Sequence, residues 1–356
     1  MRVALDTSAT AFDPGGTARY IRALLANRER FPGVELVDVA MTTTWPWTAR
    51  LPRAARILVH DLLWVPRGVA PAARRAGADL LHGPAFRVPS RAGIMTSVTI
   101  HDDTPWDDPP SASWWTRTSL QASVRRAAPT VGLALVSTES VAAALREAVP
   151  ALEGRVRVTP LGIDHATFMP QPAAAARRRV EALGITGRYV LVVGPYGPRK
   201  NYPAMCAALD RAGAAGAGVA LVVVGRAPAA QPHVDAPLHH LGRVSDADLA
   251  ALYASADFLF FASLKEGFGF PLVEAMACGC PVLASRDTAL EELAGDTALL
   301  VDPYEVDDMA AGARRLLEDA TLRERLRREG PGRAAGFSWE RTVTATAAAW
   351  HELSPG

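Results

Sequence analysis

Lysine is nearly missing from this chain: of 38 basic residues only Lys200 and Lys265 are lysines, leaving 36 arginines. Both fall inside motifs described below, at places where a compact ammonium serves better than a broad guanidinium fork. Cysteine is scarce and odd in number, at Cys206, Cys278 and Cys280, and a Cys-Gly-Cys step lacks the spacing of a zinc or redox pair. All three read as reduced, small apolar residues of a cytoplasmic protein. Charge of one sign is lacking too. A formal net charge of +1 gives no field to draw the chain onto nucleic acid or an anionic membrane. The longest stretch without charge or histidine, 212–225, has 14 residues, too short to span a bilayer, so only peripheral membrane contact stays open. The opening MRVALDTSAT enters a strand-like run and offers no apolar signal core.

What is present suits a globular α/β protein: 356 residues, 49% hydrophobic and 21% charged, enough for two domains. Short apolar runs alternate with amphipathic ones, the pattern of βαβ units. Strand candidates are 2–6, 34–40, 78–82, 95–100, 131–137 and 155–159, then 189–193, 219–224, 237–241, 256–262, 281–284 and 298–301. The two series predict two separate parallel sheets. Between them, 160–178 carries Pro160, Gly162, Pro170 and Pro172, a linker and hinge. At the end, Ser338 reads as an N-cap before a last amphipathic helix ending near Trp350.

In open parallel sheets ligands sit beyond the carboxyl ends of strands. The strand at 189–193 runs into Gly194-Pro195-Tyr196-Gly197-Pro198-Arg199-Lys200-Asn201, with Asn201 as a helix cap and Pro203 in the first turn. Glycines admit a close backbone approach, and Arg199, Lys200 and a helix N-terminus supply positive charge, so the loop reads as a diphosphate site or as a basic surface turn. The strand at 256–262 leads into Glu266-Gly267-Phe268-Gly269-Phe270-Pro271 and a helix carrying Glu274-Ala275-Met276-Ala277-Cys278-Gly279. Glu274 alone reads equally as an ordinary helix-start carboxylate.

This pair of glutamates, eight residues apart in a near-verbatim EGFG-P-x-x-EAMACG string, resembles glycosyltransferase family 4. The resemblance implies a GT-B fold: two Rossmann-like doubly wound parallel-sheet domains facing across a cleft. It assigns 1–165 to an acceptor-binding domain and 166–336 to a nucleotide-sugar donor domain. A C-terminal helix in 337–356 is expected to pack back on the first. It also implies a retaining transfer of a hexose-type sugar from a nucleotide diphosphate donor, GDP-mannose or a UDP-sugar, with no cofactor and no metal. Carried over by position, Glu266 contacts the donor sugar, Glu274 the ribose, and Arg199 and Lys200 the diphosphate. Gly194 and the turn Gly267, Phe268 and Gly269 line the donor site, and Arg243 and Val244 the base pocket. Gly15 and Gly16 resemble the family's N-terminal Gly-Gly loop near the phosphate, and His101 with Asp102 its histidine-aspartate step at the sugar.

Cations at one end of the breaking bond and carboxylates or dipoles at the other are what that reaction asks for. The resemblance further implies front-face attack, in which the leaving phosphate helps take the acceptor proton and no separate base is required. The run from His101 to Asp108 carries Asp102, Asp103, Trp106, Asp107 and Asp108. It reads as a solvated acidic loop or as the holder of a cationic acceptor such as an amino sugar or aminocyclitol. Otherwise the acceptor is a small molecule or a glycan. A rival of another class is a catalytically idle nucleotide-sugar sensor or partner subunit.

Overall fold

The computed structural model describes residues 1–12, 15–107, 114–227 and 232–354. It divides into two units: Met1–Gly162 with Trp339–Gly356, and Ile163–Ser338. All twelve predicted strands form, with ends shifted by at most two residues.

The first unit holds β1 (Arg2–Asp6), β2 (Glu35–Val39), β3 (Leu80–Gly83), β4 (Met95–Ile100), β5 (Leu133–Val136) and β6 (Val156–Val158). They form one sheet in the order β2-β1-β3-β4-β5-β6, every pairing parallel. The second holds β7 (Arg188–Val193), β8 (Val219–Val224), β9 (Leu238–Gly242), β10 (Phe258–Phe261), β11 (Val282–Ser285) and β12 (Leu299–Val301). Its order is β12-β11-β10-β7-β8-β9, again parallel throughout. Central strands such as VALVVV of β8 and FLFF of β10 are buried along their whole length, the run that a sheet covered on both faces requires.

The order reverses between β1 and β3 in the first sheet and between β7 and β10 in the second. Crossovers leave to opposite faces at these switch points, so the strand ends splay and open a crevice, the usual ligand seat of doubly wound sheets.

The last helix, Trp339–His351, belongs to the first unit. Its Trp350 is fully buried, stacks on Phe31 with centroids 5.4 Å apart, and donates from Nε1 to Ser97 Oγ at 3.0 Å. Ile163 and Ser338, the two ends of the second unit, form a parallel bridge. No helix among the described residues is long and apolar enough to cross a membrane.

Candidate active site at the second switch point

β7 and β10 are neighbours, so the loops that leave their carboxyl ends must run side by side. Two ties hold them there, and a third reaches the segment after β12. Leu264 N donates to Arg199 O at 2.8 Å, and the Asn201 amide donates to Ala262 O at 3.2 Å and to Pro303 O at 2.7 Å. The sequence reading of Asn201 as a side-chain cap is corrected here. It sits at the cap position of the helix Tyr202–Arg211 with φ 56°, and its side chain makes no cap bond. A left-handed backbone at Asn is tolerated because the short amide can bond locally, and here that amide staples three loops instead.

The result is a contact between residues 66 apart in sequence. Lys200 Nζ donates to Glu266 Oε1 at 2.6 Å, with Arg199 3.9 Å from the other carboxylate oxygen. The Lys200 ammonium also lies 4.7 Å from the centre of the Phe261 ring, a cation–π contact at the end of β10. Both partners are largely buried, at 12% and 8% side-chain exposure. Burial alone would push the Glu266 carboxyl up; the ammonium and then the guanidinium outweigh it and hold the group below the usual carboxylate range. Cations and carboxylate were expected at opposite ends of the site, and the structure joins them. Two buried opposite charges at adjacent strand ends relieve each other's desolvation by pairing.

The floor where β7 and β8 end requires glycine. Gly194 and Gly225 follow β7 and β8 with φ 137° and 144°, and a Cβ on Gly225 would stand 2.0 Å from Gly194 O. The Tyr202 hydroxyl donates to the same oxygen at 2.7 Å. Three residues after Glu266, Gly269 takes φ 78° to start the helix Phe270–Ala277, with Pro271 in its first positions as predicted. A helix begun there directs its first amides and the positive end of its dipole toward the strand ends.

Other assigned residues spread around this centre. Glu274 is buried on that helix and accepts the Tyr253 hydroxyl at 3.3 Å. The Phe268 ring is packed edge-on against Phe270 and Phe337, which confines its part in any ligand site to its backbone. Gly267 joins Glu266 to this turn. Arg243, exposed, and Val244, half-buried, follow β9, two strands away from β7.

In the first unit, His101 follows β4, donates from Nε2 to Pro84 O at 2.6 Å and lies edge-on to Tyr20 at 5.2 Å. Asp102 Oδ1 accepts Thr104 N at 3.2 Å, and Asp103 is buried. Trp106 packs against the apolar cluster around Val98 and Val124, as core packing requires. The side chain of Asp107, and all of Asp108, lie outside the described residues. Gly15 caps the helix Gly16–Ala26; the preceding Asp13 and Pro14 lie outside the described residues. His82, the other strand-end histidine, is a core residue. Its two ring nitrogens meet Ser97 Oγ at 2.8 Å and Thr99 Oγ1 at 3.0 Å, and burial, with help from His101, pushes its pKa down to about 3.

The sequence reading missed a charged cluster at the first switch point. Asp6, at the end of β1, accepts Ser8 N at 3.0 Å and Trp64 Nε1 at 3.0 Å, with His60 Nε2 at 3.8 Å. His60 Nδ1 is 2.9 Å from Asp61, whose other oxygen is 2.9 Å from Arg87. Burial alone would lower His60, but the two aspartates raise it above its ordinary value. An aspartate ending the first strand of a doubly wound sheet was the available signal. Among the described residues one group has metal-ligand spacing, Asp210, His233 and Asp235, with the last two exposed. There Asp235 N already donates to Asp210 Oδ1 at 2.8 Å.

Two doubly wound parallel sheets, one in each unit, are the architecture of the GT-B fold. Comparison with known proteins agrees. Residues 176–333 match the family model described as glycosyl transferases group 1. The O-antigen chain mannosyltransferase B of Escherichia coli is 42% identical over 116 residues, 33% of this chain and 30% of that protein's length. The MMP alpha-(1->4)-mannosyltransferase of Mycolicibacterium hassiacum is 28% identical over 341 residues, 86% of this chain and 77% of that one. Among solved structures, sucrose-phosphate synthase from Thermosynechococcus elongatus superposes with a TM-score of 0.74 at 21% identity, covering 99% of each chain. The match to the group 1 glycosyltransferases thus covers residues 176–333, and the likeness to a mannosyltransferase extends over most of the chain.

Proposed function

We propose that this protein transfers a hexose, with retention of anomeric configuration and without a metal, from a nucleoside diphosphate sugar to a hydroxyl of a small-molecule or glycan acceptor. The observation that carries the reading is the Lys200–Glu266 pair at the second switch point. An ammonium has three hydrogens. One is given to Glu266, and the others suit a diphosphate seated over Gly194 and the helix starts, where Arg199 adds a second cation. The carboxylate, held ionised, suits the sugar side, where positive charge grows as the glycosidic bond to phosphate opens. Glu274, Arg243 and Val244 are the ribose and base contacts in this reading, and His101 orients the sugar. Two relatives are named for mannosyl transfer, which makes GDP-mannose the first donor to test, ahead of UDP-sugars. Three buried thiols without disulfide partners among the described residues fit a cytoplasmic setting.

A thermal-shift screen of nucleotide sugars should single out one donor, because a ligand that binds only the folded chain raises its melting point. With that donor, Lys200→Ala should weaken binding by about 10-fold or more, the effect of losing one charge-assisted hydrogen bond. Donor affinity and turnover both unchanged in Lys200→Ala would overturn the assignment. Donor binding with neither hydrolysis nor transfer would favour an idle sensor.

A further inference from the structure

A cavity of about 690 Å³ opens within the first unit, inside the usual size range of small-molecule sites. Its walls come from the wide-turned helix His60–Gly68, from residues 87–91 and from the helix Trp114–Ala127. Among the described residues four arginines line it, Arg67, Arg87, Arg91 and Arg126, against a single carboxylate, Asp61. That carboxylate is already engaged by Arg87 and by His60, each at 2.9 Å. Arg67, Arg91 and Arg126 have no carboxylate partner among the described residues. Three uncompensated cations thus face one space, in a chain whose whole net charge is +1.

The same cavity is apolar elsewhere, through Val65, Val88 and Ala122, and it is rimmed by Leu58 and Leu62 at 49% and 57% exposure. The wide helical turn explains the rim. It carries Trp64 fully buried and Val65 inward, while Leu62 faces out. Exposed leucines beside arginines that lack a carboxylate partner make an amphipathic receptacle: a multiply charged anion satisfies the guanidinium forks, and a hydrocarbon chain covers the leucines. A carboxylate would answer one arginine bidentately, whereas a phosphate monoester offers enough oxygens and charge for several.

We propose that this cavity binds a phosphate-headed amphiphile, with Arg67, Arg91 and Arg126 holding the phosphate and Leu58 and Leu62 the chain. Its described lining belongs wholly to the first unit, so the proposal does not depend on the donor assignment. Titration calorimetry on the full chain tests it with three probes, all below micelle formation: dodecyl phosphate, an uncharged dodecyl glycoside with the same tail, and inorganic phosphate. Dodecyl phosphate should bind at least about 10-fold more tightly than either other probe, since each of them lacks one half of the recognition. The double variant Arg91→Glu, Arg126→Glu and the double variant Leu58→Ser, Leu62→Ser should each weaken it by roughly 10-fold. These four side chains are exposed, so melting temperature should hold, and a nucleotide-induced thermal shift should be the same in variants and parent. Inorganic phosphate binding as tightly as dodecyl phosphate would mean a site for soluble phosphate esters and would overturn the proposal. So would equal binding of the uncharged glycoside, or indifference to either double variant.

Discussion

Each of the two sheets places an acid beside a base at its switch point, yet the two pairs differ in what else they touch. At the first, Asp6 accepts from Ser8 and Trp64 as well as facing His60, so its oxygens are used within the protein. At the second, Glu266 takes Lys200 and, more distantly, Arg199, and the glycine turns beside it keep side chains out of the approach. A saturated carboxylate fixes backbone, whereas one held by side-chain cations beside bare glycine can share those cations with a charged ligand. The same topology therefore yields a strut in one half and, in the function proposed above, a reaction centre in the other. Local side-chain supply decides which.

Three substitutions probe that contrast. The largest effect is expected from Gly225→Ala, where the new methyl would collide with Gly194 O at 2.0 Å on a left-handed backbone. A loss of about 4 kcal/mol or more should appear in denaturant unfolding; a loss under about 1 kcal/mol would mean that the floor is not tightly closed. Next comes Glu266→Gln, which keeps shape and removes charge. Turnover should fall by roughly 10²- to 10³-fold with the circular dichroism unchanged, and parent-like turnover would return Glu266 to the structural class of Asp6. The smallest effect belongs to His60→Gln. His60 has a raised pKa in the fold, so its charged form stabilises fully below its unfolded value of about 6.5, and that stability is lost as pH rises through the folded value. The destabilisation by His60→Gln should thus be largest below about pH 6.5 and shrink as the pH rises above it. A penalty that does not change with pH would show that the first pair carries no titrating charge.

Apolar periodicity carried the fold well, because strands buried on both faces cannot hide their composition: VALVVV and FLFF can be little else. The second switch point was legible as two separate loops, since glycine, proline and paired charges mark them in the sequence. Their meeting was not, because the Lys200–Glu266 contact depends on which strands are neighbours, and strand order is not written in any local pattern. Asn201 was misread for a related reason. A cap is the commonest local use of that residue, and the oxygens it actually serves, on Ala262 and Pro303, lie far along the chain. The cavity with its arginines escaped notice altogether, since Arg67, Arg91 and Arg126 are scattered singly among 36 arginines.

The second unit is an insert within the first, entering at Ile163 and leaving at Ser338, and these two residues are bridged to each other. Ile163 N donates to Phe337 O at 3.1 Å beside that bridge, so start and finish of the insert share one doorway. Segments whose termini adjoin are the ones that transplantation tolerates. The second unit is thus a cassette: a related 163–338 segment can be spliced in at one doorway while the first unit keeps its own connectivity.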